Sequence, residues 1–310
     1  MKVKITIIVP FYNENKNLIE TLKMILKQVS LPDEIIFVNS GSTDNTSIII
    51  KKYLKNYNLK LLPKIKIINK KTFLPSTSKN LGAENAMNDY IIFLDCGLKI
   101  GSKWLFNLKN NLKKNYDVIV GTYYFDTNSN FDLGCLSQLY GYKKVGICVP
   151  STLIKKKLFL KYFKFQKARA GYDRVWLNQI KNNKNYKVYF NKTNSVDYNG
   201  ICISKNINNL FKKIYLYSLA SCKVKGYDLQ SKYLITSVIF LISLTIFHEK
   251  SLYFFSIIYF LMIIKKFFSN NHLDKKFLSI KVFLNSIIAR IIIDLARVFA
   301  FSNNLIEKLK

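Results

Sequence analysis

The chain has 310 residues, 49 of them Lys or Arg and 18 Asp or Glu, for a formal net charge of +31. That length allows one large domain or two smaller ones, and the hydrophobic fraction of 49% allows a sizeable core. The charge does not indicate nucleic acid: Arg169, Arg174, Arg290 and Arg297 are the only arginines, whereas phosphate and base recognition favour the guanidinium, and no nucleic-acid-binding module is present. An anionic membrane surface is the expected partner for the excess lysines. The cysteines (Cys96, Cys135, Cys148, Cys202, Cys222) form no C-x-x-C pair and are odd in number, which reads as reduced thiols in a cytosolic compartment. The first apolar run is too short for a signal peptide.

In chain order, Val3–Val9 reads as a buried strand, and Leu18, Leu22, Ile25, Leu26 and Val29 recur at helical spacing. Glu34–Val38 is a second strand and Thr46–Leu54 a helix. Ile65–Ile68 is a strand, Ser76–Met87 a helix, Tyr90–Leu94 a strand, Ser102–Lys113 a helix and Asp117–Val120 a strand. This alternation predicts a mostly parallel, doubly wound α/β sheet. Residues 123 to about 200 are less regular, with strands at Val145–Pro150 and Tyr186–Phe190 and a helix at Asp173–Ile180. They are expected to extend the sheet and close over a ligand.

The last third is different. Tyr233–Phe247 and Leu252–Ile264 are dense apolar runs split by His248-Glu249-Lys250-Ser251, with Lys232 at one end and Lys265 and Lys266 at the other. Each run is shorter than the roughly 20 residues of a straight span. The flanking lysines suit a helical hairpin with both ends on the cytoplasmic side; a pair of buried core helices is the alternative. In Phe283–Phe301, Arg290, Asp294 and Arg297 share one helix face, which predicts a segment lying at the membrane interface.

Three of the strands end in polar residues: Pro10-Phe11-Tyr12-Asn13-Glu14, Asn39-Ser40-Gly41-Ser42-Thr43-Asp44, and Asp95. In open α/β sheets, ligands bind outside the carboxyl ends of the strands. Ser42, Thr43 or Asp44 also suits the cap of the helix that follows, so a turn plus a cap accounts equally well for that loop. No dinucleotide or P-loop motif is present. A carboxylate at Asp95 can hold a hard cation against a diphosphate.

Ile7-Ile8-Val9-Pro10-Phe11-Tyr12-Asn13-Glu14, Val38–Thr46, Lys79-Asn80-Leu81-Gly82 and Tyr90–Asp95 stand in the order seen in family 2 glycosyltransferases. The resemblance is close over residues 1–122 and looser over 123–230. It implies a GT-A fold (α/β, Rossmann-like, mostly parallel sheet), a nucleotide-diphosphate sugar donor, a divalent cation (Mg or Mn) and inversion at the anomeric carbon. It places Pro10, Tyr12, Glu14, Asn39, Ser40, Lys79 and Asp95 at the donor. Asp95 matches the first Asp of the D-x-D motif, and Gly97 stands at its last position, as in a subset with Asp-x-Gly followed by Trp-Leu, here Trp104-Leu105. Ala170-Gly171-Tyr172-Asp173 resembles the segment carrying the acceptor-site Glu-Asp pair, with Tyr172 in the Glu position and Asp173 as the acceptor base. A helix N-terminus there suits a carboxylate. Asp197 falls where a His often completes the metal site, so Asp95 and Asp197 are the expected metal ligands.

The expected organisation is a GT-A domain over 1–226, with a nucleotide-sugar half at 1–122 and an acceptor half at 123–226, followed by a membrane-associated helical region at 227–310. The expected activity is transfer of a sugar to a lipid-linked glycan or polysaccharide at the cytoplasmic face of the cell membrane. Gly97 and Tyr172 also admit a catalytically inactive binding or scaffold relative.

Overall fold

The computed structural model describes residues 3–309 apart from 56–62, 113, 143, 192–195, 199–202, 228 and 270–277. The described residues divide into two compact units, one of residues 1–123 and 145–198, the other of 124–144 and 199–310. The first unit is built on β1 (Ile5–Phe11), α1 (Asn15–Leu26), β2 (Glu34–Asn39), α2 (Thr46–Lys55), β3 (Lys64–Asn69), α3 (Pro75–Asn85), β4 (Tyr90–Phe93) and α4 (Trp104–Leu112). β1 and β2 are buried along their whole length, which is why they read as unbroken apolar runs rather than alternating ones.

The later strands are β5 (Val118–Tyr124), β6 (Gly146–Lys155), β7 (Val188–Phe190) and β8 (Val196–Asp197). The sheet order is β3-β2-β1-β4-β6-β5-β7, with β8 on β5. β1, β2, β3 and β4 are mutually parallel, whereas β6 runs antiparallel to both β4 and β5. Parallel pairing brings the C-terminal ends of β1, β2 and β4 to one edge of the sheet. α5 (Asn130–Gln138), α6 (Lys156–Tyr162) and α7 (Tyr172–Asn182) follow in the chain.

In the second unit α5 packs on α10 (Ile280–Leu309), and so does α8 (Ile207–Ser221). The compact division therefore groups α5 and α8 with the C-terminal helices, rather than cutting the chain at 226. α9 is a helical run from Leu229 to Ser269 that continues through His248–Ser251. Tyr233 and Tyr259 of this run both bond to Asp294, at Oδ1 and Oδ2. A straight helix would hold their Cα atoms about 39 Å apart, beyond the reach of two tyrosines to one carboxylate. α9 therefore doubles back between them. It forms two arms that meet between these two residues.

The expectation for Phe283–Phe301 is corrected. Arg290, Asp294 and Arg297 do share a face, but that face meets the tyrosines of α9, and the three side chains are only 14–16% exposed. The outward positions of α10 are apolar instead, among them Leu284, Ile291, Leu295 and Phe299. Pairing with tyrosines and with one another makes the inward placement of these charges tolerable.

Candidate functional site

The loop after β1 is tied to the loop after β2. Asn13 accepts from Thr43 N at 2.9 Å and donates its own N–H to Ser42 Oγ at 3.1 Å, while Glu14 N donates to Thr46 Oγ1 at 3.0 Å. Asp44 accepts from Thr46 N at the start of α2, so the expected capping role falls to it. Tyr12 is 47% exposed at this edge, and Glu14 is half-buried and accepts from Asn17 Nδ2 at 2.7 Å. Pro10 is buried within β1.

Asn39 and Ser40, expected at the base, are engaged by the protein itself. Asn39 Oδ1 accepts from Gly41 N and Ser42 N, and its Nδ2 donates to Asn69. The Ser40 and Ser78 hydroxyls pair at 2.6 Å. These side chains shape the loop that a nucleotide would meet.

The centre of the site is Lys79 on α3. It is 2% exposed, with Nζ 2.7 Å from Asp95 Oδ1 and 3.3 Å from the Tyr172 hydroxyl. Burial alone would push this amine down, but the Asp95 carboxylate and Tyr172 hold it well above the ordinary lysine value. Burial pushes the Tyr172 phenol up to about 12, against the opposing pull of Lys79. Tyr172 is thus a neutral hydroxyl near pH 7 and no general base. α3 lies tightly on β1 because residue 82 is glycine: a Cβ there would sit 2.3 Å from Ile8 Cγ2.

Asp95 follows β4 directly and is 39% exposed. Gly97 has φ +82, where L side chains are strained. The backbone path after Asp95 thus itself disfavours a second carboxylate at this position. Asp197 in β8 exchanges backbone hydrogen bonds with Lys99, close in sequence to Asp95. Among the described residues, no group of three or more His, Cys, Asp or Glu side chains gathers to hold a metal. Asp95 is a single partly exposed carboxylate, which fits a cation that takes most of its ligands from a diphosphate and water.

Tyr172 and Asp173 open α7. The cap residue is Gly171, with no side-chain cap bond, and Asp173 is exposed in the first turn with no hydrogen-bond partner among the described residues. Both Asp95 and Asp173 lie within electrostatic reach of Tyr172. Two residues that the sequence did not mark hold the loop before α7. Asn80 clamps Phe165, donating to its carbonyl at 2.8 Å and accepting from its N–H at 3.0 Å. Ser76 does the same for Ala168. The signal for Asn80 was its place in the Lys79-Asn80-Leu81-Gly82 motif; its partner 85 residues away was not legible.

The sequence profile described as Glycosyl transferase family 2 matches residues 6–180. The chain belongs to this family. Among curated relatives of this family 2 protein, glycosyltransferase GlyG of Streptococcus pneumoniae is 30% identical over 126 residues, 40% of each chain. The match thus spans less than half of that relative. Poly(ribitol-phosphate) beta-N-acetylglucosaminyltransferase TarP of Staphylococcus aureus is 25% identical over 264 residues, covering 74% of this chain and 78% of TarP. The mannosyltransferase PcManGT from Pyrobaculum calidifontis, solved in complex with GDP-Man and Mn2+, superposes with a TM-score of 0.54 at 14% identity, over 94% of this chain and 87% of that one. At that identity the likeness is one of fold, and the fold is GT-A.

Proposed function

We propose that this protein is an inverting glycosyltransferase that moves a sugar from a nucleoside-diphosphate donor to a glycan or lipid-linked acceptor at the cytoplasmic face of a membrane. The observation that carries the reading is the constellation Asp95–Lys79–Tyr172–Asp173, which joins the carboxyl edge of the parallel strands to the start of α7. Pro10, Tyr12, Glu14, Asn39 and Ser40 belong to the loops that would receive the nucleotide. Lys79 sets a fixed positive charge where negative charge grows on the leaving diphosphate. Asp95 would hold a divalent cation bound with the donor, whose chemistry is to neutralise the same charge; Asp197 is the second candidate ligand. Tyr172 remains protonated and can only donate its O–H or accept from Lys79. Asp173 is the acid left to take the proton from the attacking acceptor hydroxyl.

The membrane part of the reading rests on the second unit. Leu252–Ser269 has a mean hydropathy of 1.6, and only 11% of it is buried. Leu284, Ile291 and Leu295 of α10 face outward while Arg290, Asp294 and Arg297 face inward, the arrangement that hydrocarbon favours. Among the described residues Cys96, Cys148 and Cys222 form no disulfide, which suits a cytosolic setting.

The test begins with the full chain and a panel of UDP-, GDP- and dTDP-sugars, since a ligand that binds the native state raises its melting temperature. With the donor so found, Asp173→Asn is expected to leave melting and donor affinity unchanged while transfer falls by roughly 10² to 10⁴. Unaltered transfer would remove Asp173 as the base. Donor stabilisation with no transfer in the wild-type chain would favour the inactive binding relative.

A further inference from the structure

Among the described residues, the cluster at Asp294 holds more positive than negative charge. Asp294 accepts from Arg290 Nε at 2.5 Å and from the hydroxyls of Tyr259 and Tyr233. Arg297 Nη1 donates to Tyr233 OH at 2.7 Å and stands 3.7 Å from Asp294, with its guanidinium over the Tyr233 ring. One carboxylate thus answers two guanidinium groups. Lys266 adds a third cation within electrostatic reach of both arginines, of Asp294 and of Lys144. The Nη groups of Arg290 and the Nε and Nη2 of Arg297 make no hydrogen bond among the described residues.

An excess of charge set among apolar helices is costly unless an anion joins it. Guanidinium forks with free N–H groups match the oxygens of a phosphate. The level of the cluster agrees. Tyr233 lies four residues inside the start of α9 and Tyr259 ten residues before its end, about 6 Å and 15 Å along the two arms. Because both tyrosines reach one carboxylate, the turn lies near the midpoint between them, about 20 Å along each arm from the cluster, and the cluster lies toward the open end of the doubled-back helix. If the tip enters the bilayer, the open end is where lipid phosphates lie.

We propose that Arg290, Arg297 and Lys266 form a binding site for the phosphate of an anionic lipid headgroup, at the open end of α9 beside α10. This rests on the membrane reading above. The site takes a phosphate ester through charge-assisted hydrogen bonds from the free arginine N–H groups, while Asp294 keeps Arg290 and both tyrosines in place.

The experiment is vesicle flotation of the full chain at about 1 M salt, where the Debye length is about 3 Å and the scattered surface lysines are screened. Vesicles of phosphate-free digalactosyldiacylglycerol are compared with the same vesicles containing phosphatidic acid. The wild-type chain is expected to bind the second kind tighter by roughly tenfold or more. Two variants follow. Lys266→Gln with Arg297→Gln leaves Asp294 paired to Arg290, so no bare carboxylate is created. Arg290→Met, Asp294→Leu and Arg297→Met together replace the network by apolar groups. Both are expected to bind phosphate-free vesicles like wild type, which shows the helices intact, and to lose the preference. A wild-type chain that binds both vesicles equally, or variants that keep the preference, would overturn the site. A chain that floats with neither vesicle would instead overturn the membrane reading itself.

Discussion

At the scale of single residues, the site depends on side chains of two kinds: those that would meet substrate, and those that hold the first kind still. Asp95, Lys79 and Asp173 were expected at the site because their types and neighbours match a family pattern. Asn80 was not, because its work is a contact between residues far apart in the chain, and no local pattern records that. Its side chain satisfies both the N–H and the C=O of Phe165, in the loop leading to Tyr172 and Asp173. Asn80→Ala should leave both backbone groups without their partner and cost roughly 1–3 kcal/mol. The functional consequence should be one-sided. Donor affinity, proposed to be set at Lys79 and Asp95, should change little, while the acceptor-side KM rises. Steady-state kinetics with each substrate varied in turn checks this; a matched loss on both sides would mean that Asn80 acts through the general stability of α3. The expected D-x-D pattern is incomplete at residue 97, and the physical reason is local: with φ at +82, that position favours glycine.

At the scale of elements, the strands that read most clearly were those buried on both faces, where no polar residue interrupts the apolar run. β1, β2 and β4 begin within about two residues of their expected positions for that reason. The antiparallel insertion of β6 between β4 and β5 was not legible, because strand order depends on long-range pairing that no local pattern encodes. α5 was missed because Asn130–Gln138 carries a glycine and is buried nearly all round, so it shows no amphipathic stripe. The glycine of α3 illustrates how an element sets the site. With a Cβ at residue 82 within 2.3 Å of Ile8, Gly82→Ala would force α3 away from β1 and carry Lys79 with it. The expected cost is about 1–3 kcal/mol from overpacking, despite the better helix propensity of alanine. Melting of the variant tests the packing. A rise in melting temperature would show that α3 can shift freely and that its close seating is not required.

At the scale of the whole molecule, there are two ways in which a chain of net charge +31 could meet a membrane. The first is attraction of scattered lysines to anionic headgroups, which asks nothing of the fold and is screened by salt. The second is burial of the apolar exterior of α9 and α10 in hydrocarbon, which salt strengthens if anything. The two units favour the second for a physical reason. In an ordinary soluble helix pair the charged residues face water and the apolar ones face each other, but here Arg290, Asp294 and Arg297 are turned inward while Tyr253, Phe254 and Ile257 are more than half exposed. Water would leave that apolar surface unburied. Membranes bearing the full chain should therefore retain it through about 1 M salt, and also through alkaline carbonate near pH 11, where lysines of ordinary pKa, about 10.4, lose most of their charge. Detergent should release it. Release by salt alone would show that charge carries the association and that the outward apolar faces of α9 and α10 are covered by protein instead, and sedimentation of the released chain would then show that partner as added mass.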